Sequence, residues 1–394
     1  MSTSLNIRTK PLPRVLSGMR PTGRLHLGNY MGALYNWVKL QHEYDCYFFI
    51  ADLHALTTDY ADPSRVQQNI IDITLDFLSA GLDPGRCVIF KQSDVMQHAQ
   101  LNTLFGMFTP VGWLERVPTY KDQQAQLAEK DLNTFGFLGY PLLQAADILL
   151  YKPDFVPVGA DQVAHVELTR EVARRFNSLY PGKFVLPRDA PAWVMPAILE
   201  KARKLAGEPK QSTRMEFSNR ALFEAALQTK NSGVTTIHHI LPEPDVLLTP
   251  SPKLPGLDGR KMSKSYGNMI MLSEPEADLR AKLKTMVTDP ARVRRDDPGN
   301  PDVCPVFDLH KVFSSEQVQM KAAEGCRTAG IGCIECKSWV ADAIVTTIAP
   351  MQAHRRDLEG RPGVVKDVLA NGKDRAIKRA QQTLDEVQRA MGLA

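Results

Sequence analysis

The chain has 394 residues, enough for two or three domains of about 100–200 residues each. Hydrophobic residues make up 43% and charged residues 23%, which excludes global disorder and fibrous structure, and a net charge of +4 permits nucleic-acid binding without arguing for it. No apolar run approaches the ~18 residues of a membrane helix, and Met1–Pro13 has no apolar core of a signal peptide, so a cytoplasmic protein with no membrane partner is expected.

Arg14–Ser17 reads as a strand ending in a turn at Gly18. From His26, Leu27, Met31, Leu34 and Val38 step at helical spacing and form one buried stripe. Cys46–Ala51 is a strand buried on both faces. Val66, Ile70, Ile73 and Phe77 mark the next helix, closed by Gly81, and Cys87–Phe90 is a third buried strand. This alternation predicts an α/β fold with a parallel sheet under helices, because parallel neighbours need a crossover. Ligands then bind at the carboxyl ends of the strands. A helix Pro141–Tyr151, a strand Phe155–Val158 and a helix from Asp161 continue the pattern. Residues 181–256 are rich in proline and read as an irregular insertion, with some helix around Ala221–Leu227. From about Asp302 the pattern is helical, with stripes Val340, Ile344, Thr347, Met351 and Ile377, Ala380, Leu384, Val387, Met391.

Two segments carry chemistry. The first, Pro21-Thr-Gly-Arg-Leu-His-Leu-Gly-Asn29, lies between the first strand and the first helix. Free N–H groups and the helix dipole make such a turn an anion site. Gly23 and Gly28 let a ligand approach the backbone. His26 and Asn29 add side-chain donors. Alone, this is equally well a plain turn and helix cap. The second, Gly259-Arg-Lys-Met-Ser-Lys-Ser-Tyr-Gly-Asn268, sets two lysines and two serines between glycines. Two cations on a hinged loop suit a polyphosphate whose charge grows in a transition state, although isolated Lys-x-x-Lys pairs are mostly solvated.

Together the two segments resemble the signature pair of class I aminoacyl-tRNA synthetases. The stretches Gly28-Asn-Tyr-Met-Gly-Ala-Leu34, Ala51-Asp-Leu-His-Ala-Leu-Thr57, Tyr140-Pro-Leu-Leu-Gln-Ala-Ala-Asp-Ile-Leu-Leu150 and Val156-Pro-Val-Gly-Ala-Asp-Gln162 resemble the tryptophanyl-tRNA synthetases in particular, as does His165-x-Glu-Leu-Thr-Arg170. The resemblance is close over about 14–180 and 255–290. It implies a Rossmann-type catalytic domain (14–180), a connecting insertion (181–253), the signature loop and a return to the catalytic domain (254–300), and a helical anticodon-binding domain (301–394). It also implies activation of L-tryptophan by ATP with Mg2+, transfer to tRNA(Trp), and a homodimer. Arg20, Pro21, Thr22, His26, Gly28 and Asn29 are then expected at ATP, with Gly159, Ala160 and Asp161 on the adenosine side. Lys261, Met262, Ser263, Lys264 and Ser265 are expected to close on the pyrophosphate, and Lys121 matches a third family lysine. Lys264, Lys261, His26 and Lys121 are the catalytic candidates.

For tryptophan, the resemblance points to Asp147, Tyr140, Gln144, His54, Gln162, Val156 and Val158. An indole N–H is a donor only, and a carboxylate on a helix facing the pocket would accept it. Without the family context, Asp147 reads more simply as a salt-bridging residue, and His54 as a satisfied core histidine. Gln144 and Ala160 depart from many bacterial members, which carry methionine and an acidic residue there. The rival readings are a tyrosyl-tRNA synthetase and a non-catalytic tryptophan- or RNA-binding paralogue.

Cys304, Cys326, Cys333 and Cys336 cluster within 33 residues. Four thiolates can complete an iron–sulfur or a zinc site, or stand as reduced free thiols. Only Cys333 and Cys336 form the short pair that zinc usually prefers. A subset of the family carries a similar spacing that holds a 4Fe-4S cluster, and this resemblance makes the cluster the expectation and zinc the lesser one.

Overall fold

Five parallel strands form the central sheet. They are β1 Arg14–Met19, β2 Asp45–Ile50, β3 Val88–Lys91, β4 Phe155–Val158 and, after a short antiparallel pair of β5 Lys183–Val185 and β6 Thr236–His238, β7 Asp245–Leu248. Their order is β3-β2-β1-β4-β7. The structure is a computed structural model that describes residues 11–117, 131–159, 162–180, 182–185, 191–206, 219–229, 236–248, 253–361 and 363–394.

Alternate residues of each strand feed opposite layers. Val15, Cys46, Phe48, Ile50 and Ile89 enter one core, while Leu16, Tyr47, Phe49, Val88 and Phe90 enter the other. A sheet covered on both faces needs no polar alternation, which is why the strand sequences are continuously apolar. The first layer is closed by the Val66–Ser79 helix and by Val340, Ala341, Ile344 and Ile348 of the Cys333–Glu359 helix. The second is closed by the helices Gln97–Gly106, Phe135–Tyr151 and Val163–Leu179, and by Ala376, Ala380, Leu384 and Val387 of the Val364–Ala390 helix. The helical C-terminal part is therefore present, but its two long helices share the layers of the sheet. Gly372 of the last helix lies against β3 so closely that a Cβ would stand 1.7 Å from the Ile89 carbonyl oxygen.

Several boundaries differ from expectation. β1 continues through Gly18, where a Cβ would meet the Phe49 ring at 2.5 Å. The helix expected at Pro141 begins at Phe135, because Thr134 caps it by accepting from the Phe137 N–H. Between Leu27–Asn29 and Tyr35–Leu40 the first helix contains a π turn, Tyr30–Leu34. The proline-rich stretch holds more structure than its composition suggested. The Val194–Ala206 helix packs Val194, Ile198 and Ala202 on Ala225 and Ala226 of the Asn219–Thr229 helix. The expected 181–253 insertion also supplies β7, which pairs with β4 from Phe155↔Asp245 to Val158↔Leu248 and ends the main sheet.

Candidate active site

The chain reverses its strand order between β1 and β4, the usual place for a ligand crevice in an open α/β sheet. There the carboxyl ends of the two strands border a cavity of about 380 Å³. Seven residues expected at the amino acid, namely His54, Tyr140, Gln144, Asp147, Val156, Val158 and Gln162, all line it, together with Arg20 and Gly159. Lys121, Ala160 and Asp161 lie outside the described residues.

Asp147 projects from the middle of the Phe135–Tyr151 helix and is fully buried. It is not the open acceptor that the sequence suggested. Its Oδ2 accepts from His54 Nε2 at 2.7 Å, and its Oδ1 from His98 Nδ1 at 2.6 Å. The Gln92 amide donates to both oxygens at 2.8 and 2.9 Å. Burial alone would raise this carboxyl, but the contacts of His98 and His54 with it outweigh burial and hold it below the ordinary range. His98 and Gln92 were not foreseen. The one signal for His98 is its place on the buried stripe His98, Leu101, Phe105, where a polar residue needs a partner.

The nucleotide-type turn follows β1. Gly23 has φ 98°, a conformation that favours glycine. His26 caps the Leu27–Asn29 turn, its Nδ1 accepting from the Asn29 N–H at 3.2 Å while Asn29 Oδ1 accepts from the His26 N–H at 3.2 Å. Burial, then the nearby Lys264 and Lys261, push the His26 imidazole down to about 4, so it is neutral near pH 7. Pro21 is buried and Thr22 exposed beside it. Arg20 donates to Thr58 Oγ1 and pairs with Asp59 at 3.7 Å.

The second basic segment closes over this turn. The Leu27 N–H donates to the Ile270 carbonyl and the Leu272 N–H to the Leu25 carbonyl, each at 2.9 Å. Lys264 Nζ donates to the Thr22 carbonyl at 2.8 Å. Met262 is buried in the core beneath the loop, and Lys261 and Ser265 are exposed. Ser263 Oγ accepts from the Ser265 N–H at 3.3 Å. Asn268 pins the loop: its Oδ1 accepts from the Ser263 N–H at 2.8 Å and its Nδ2 donates to Asp258 Oδ1 at 2.6 Å. Burial lowers Lys264 from 10.5 to about 8, against the opposing pull of Asp76 and Asp72. Asp76 also holds the turn, its Oδ2 accepting from the Leu25 N–H at 2.7 Å. Two segments some 240 residues apart thus meet at one anion-seeking corner beside the cavity.

A family model described as tRNA synthetases class I (W and Y) matches residues 9–205 and 219–349. The chain belongs to that family. A tryptophan–tRNA ligase of Ralstonia nicotianae is 49% identical, the match covering 96% of this chain and 98% of that one. One of Thermotoga maritima is 45% identical, covering 96% and 99%. The solved tryptophanyl-tRNA synthetase of Campylobacter jejuni, complexed with ADP and tryptophan, is similar with a TM-score of 0.74 at 29% identity, covering 96% of this chain and all of that one. The match to a class I synthetase structure thus covers 96% of the chain.

The four clustered cysteines lie apart from this cavity, at three helix ends. Cys304 precedes the Pro305–Phe313 helix, Cys326 is near the end of the Glu316–Arg327 helix, and Cys333 and Cys336 occupy the first turn of Cys333–Glu359. All are free thiols. Burial, then the neighbouring Cys304, Cys326 and Cys333, push the Cys336 thiol up to about 12. A Cβ on Gly299 would meet Cys326 Sγ at 2.6 Å. Among the described residues, no three His, Cys, Asp or Glu side chains converge closely enough to hold a single metal ion. Nor does any described helix have the length and apolarity to cross a membrane.

Proposed function

We propose that the chain activates L-tryptophan with ATP and Mg2+ and transfers it to tRNA(Trp). The observation that carries this reading is Lys264 Nζ donating to the Thr22 carbonyl at 2.8 Å, which joins both segments two residues from Arg20, a wall of the cavity that contains the buried carboxylate. The amino acid carboxylate is itself the nucleophile at the α-phosphorus, and pyrophosphate leaves. The protein's part is positioning and charge stabilisation. Gly23 and Gly28 would receive the phosphates through backbone N–H groups, flanked by Thr22 and Asn29, whose own N–H groups are engaged by the Arg20 and His26 carbonyls. Lys264 and Lys261 would balance the charge that grows on the leaving pyrophosphate. A neutral His26 donates through Nε2 without adding charge, since its Nδ1 is engaged by Asn29. Ala160, Asp161 and Lys121 are expected at ATP by family pattern alone.

In the same reading, Asp147 accepts the indole N–H, and Tyr140, Gln144, His54, Gln162, Val156 and Val158 wall the pocket. The 301–394 helices would bind the anticodon arm, and two copies would form a homodimer. ATP–pyrophosphate exchange with tryptophan and tyrosine side by side tests the assignment. Exchange should be faster with tryptophan and should vanish in Lys264→Ala while tryptophan binding persists. Faster exchange with tyrosine would show the sister enzyme, and no exchange with either would show a non-catalytic paralogue.

The cysteine cluster supports a 4Fe-4S cluster better than zinc. A zinc ion needs its donors to converge on one point, whereas a four-iron cluster takes one thiolate per iron, so its thiols stand apart. The donor set fits in kind: four free thiols, of which Cys304, Cys326 and Cys333 act electrostatically on Cys336, with the Arg292 guanidinium 4.0 Å from Cys326 Sγ. Cys304, Cys326, Cys333 and Cys336 would hold the group, which would cross-link three helices and supply no electrons to the adenylation reaction. Anaerobically purified protein should show a broad visible band that bleaches on reduction. A colourless, iron-free, zinc-containing sample overturns this part.

A further inference from the structure

The Asp147 carboxylate meets more donors than a lone recognition residue needs. On one side, His98 is fully buried against Phe49 and Phe90, its ring centroid 6.0 Å from each. Its Nδ1 reaches Asp147 Oδ1 at 2.6 Å, and its Nε2 reaches Tyr151 Oη at 2.9 Å. Tyr151 is also fully buried, one helical turn after Asp147. Burial, then the charge of Asp147, raise the Tyr151 phenol well above its ordinary value, so it keeps its proton. A phenol that donates to Nε2 selects the imidazole tautomer with its proton on Nδ1, and that proton points at Asp147. On the other side, Oδ2 faces the cavity through His54, whose side chain is 11% exposed. The two Gln92 bonds and the two histidine bonds occupy all four acceptor positions of the carboxylate. A substrate N–H can therefore bind only by replacing a present donor. His54 is the one partner on the cavity side.

We infer that Tyr151 and His98 are positioning residues: they lock the Asp147 carboxylate so that its cavity-side oxygen, Oδ2, exchanges His54 for the indole N–H of the substrate. The inference rests on tryptophan as the substrate and on Asp147 as its acceptor. The buried chain Tyr151–His98–Oδ1 keeps the carboxylate plane fixed when His54 leaves. Without it, the acid could rotate and satisfy itself elsewhere, and the site would lose selectivity for a donor-bearing ring.

The test compares exchange rates with tryptophan and with its sulfur isostere, 3-benzothienylalanine, which has the same shape and no N–H. A site built to pair that N–H should prefer tryptophan by about 10⁴-fold in kcat/KM. Tyr151→Phe removes one hydroxyl and keeps the ring. It should lower the preference about tenfold or more through kcat/KM for tryptophan. Exchange with the isostere and the thermal transition should stay near wild type. Equal loss on both substrates overturns the positioning role, because a merely structural residue would weaken both alike. His98→Asn is the second arm. Its amide places an N–H near the Nδ1 position and has no tautomer to lose, so the preference should survive; a loss as large as in Tyr151→Phe also overturns the inference. A wild-type enzyme indifferent to the isostere refutes Asp147 as the acceptor, and the inference with it, while leaving tryptophan activation itself intact.

Discussion

Arg355→Met removes a cation from a deeply buried ion pair. The guanidinium side chain is 5% exposed and pairs with Asp76, 1% exposed, and with Asp72 Oδ1 at 2.7 Å. Its third partner, Glu359, is on the same helix at 2.9 Å and is 41% exposed, so water can replace that contact. Methionine restores most of the volume but leaves Asp76 charged, with the Leu25 N–H as its remaining bond. Breaking a buried pair from one side costs about 3–5 kcal/mol, against about 0–1 for an exposed pair. The structure places Asp76 in the first class and Asp72 between the two, so about 3–4 kcal/mol is expected in a urea titration. Adding Asp76→Asn should recover part of this loss, since most of it is the stranded charge. The Leu25 N–H then loses its carboxylate, so KM for ATP should rise more than KM for the amino acid. A loss below about 1 kcal/mol, or a double variant no more stable than Arg355→Met, would refute the reasoning.

Lys264 sets an alkaline limb. Folding lowers its pKa from 10.5 to about 8, so the ammonium is present below that pH and is lost above it. kcat/KM for ATP in pyrophosphate exchange should fall above about pH 8 in free enzyme, and Lys264→Arg should remove that limb; a limb near 10 in the wild type would contradict the burial of this amine. His26 is also depressed, from 6.5 to about 4, so folding favours its neutral form. Its contribution is complete above the unfolded value and is lost as pH falls from 6.5 toward 4, which a His26→Asn comparison of stability against pH should reveal. Gly372→Ala would put a methyl 1.7 Å from the Ile89 carbonyl oxygen and should cost about 3 kcal/mol or more. The control Gly139→Ala meets nothing within 4 Å and should be neutral or stabilising, as alanine usually is inside a helix.

Much of this was legible in the chain. Strands buried on both faces announce themselves as unbroken apolar runs, so β1 to β4 were foreseen to within one or two residues. β7 was not. Pro242, Pro244 and Pro250 surround a four-residue strand, and only its pairing with β4 distinguishes it from loop. The C-terminal helices showed their stripes but not their destination. Ala376 and Ala380 look like small residues on a surface helix until the sheet beneath them is known. At the site, short local patterns pointed to Gly23, His26 and Lys264 and the family resemblance to Asp147; His98 showed only its place on a buried stripe, and Gln92 and Asp76 belong to no local pattern.

The amino-acid sequence by itself determined the alternation of strand and helix, the two basic segments and the spacing of four cysteines. Each is a local property, set by side-chain period, backbone freedom at glycine and charge density. Only the tertiary structure decided what those pieces do to one another. It joined Lys264 to Thr22 across 242 residues and Arg355 to Asp76 across 279. It also surrounded Asp147 with His54, Gln92 and His98 from three other segments. A buried charge must find its partners wherever the fold brings them, and sequence distance carries no record of that search.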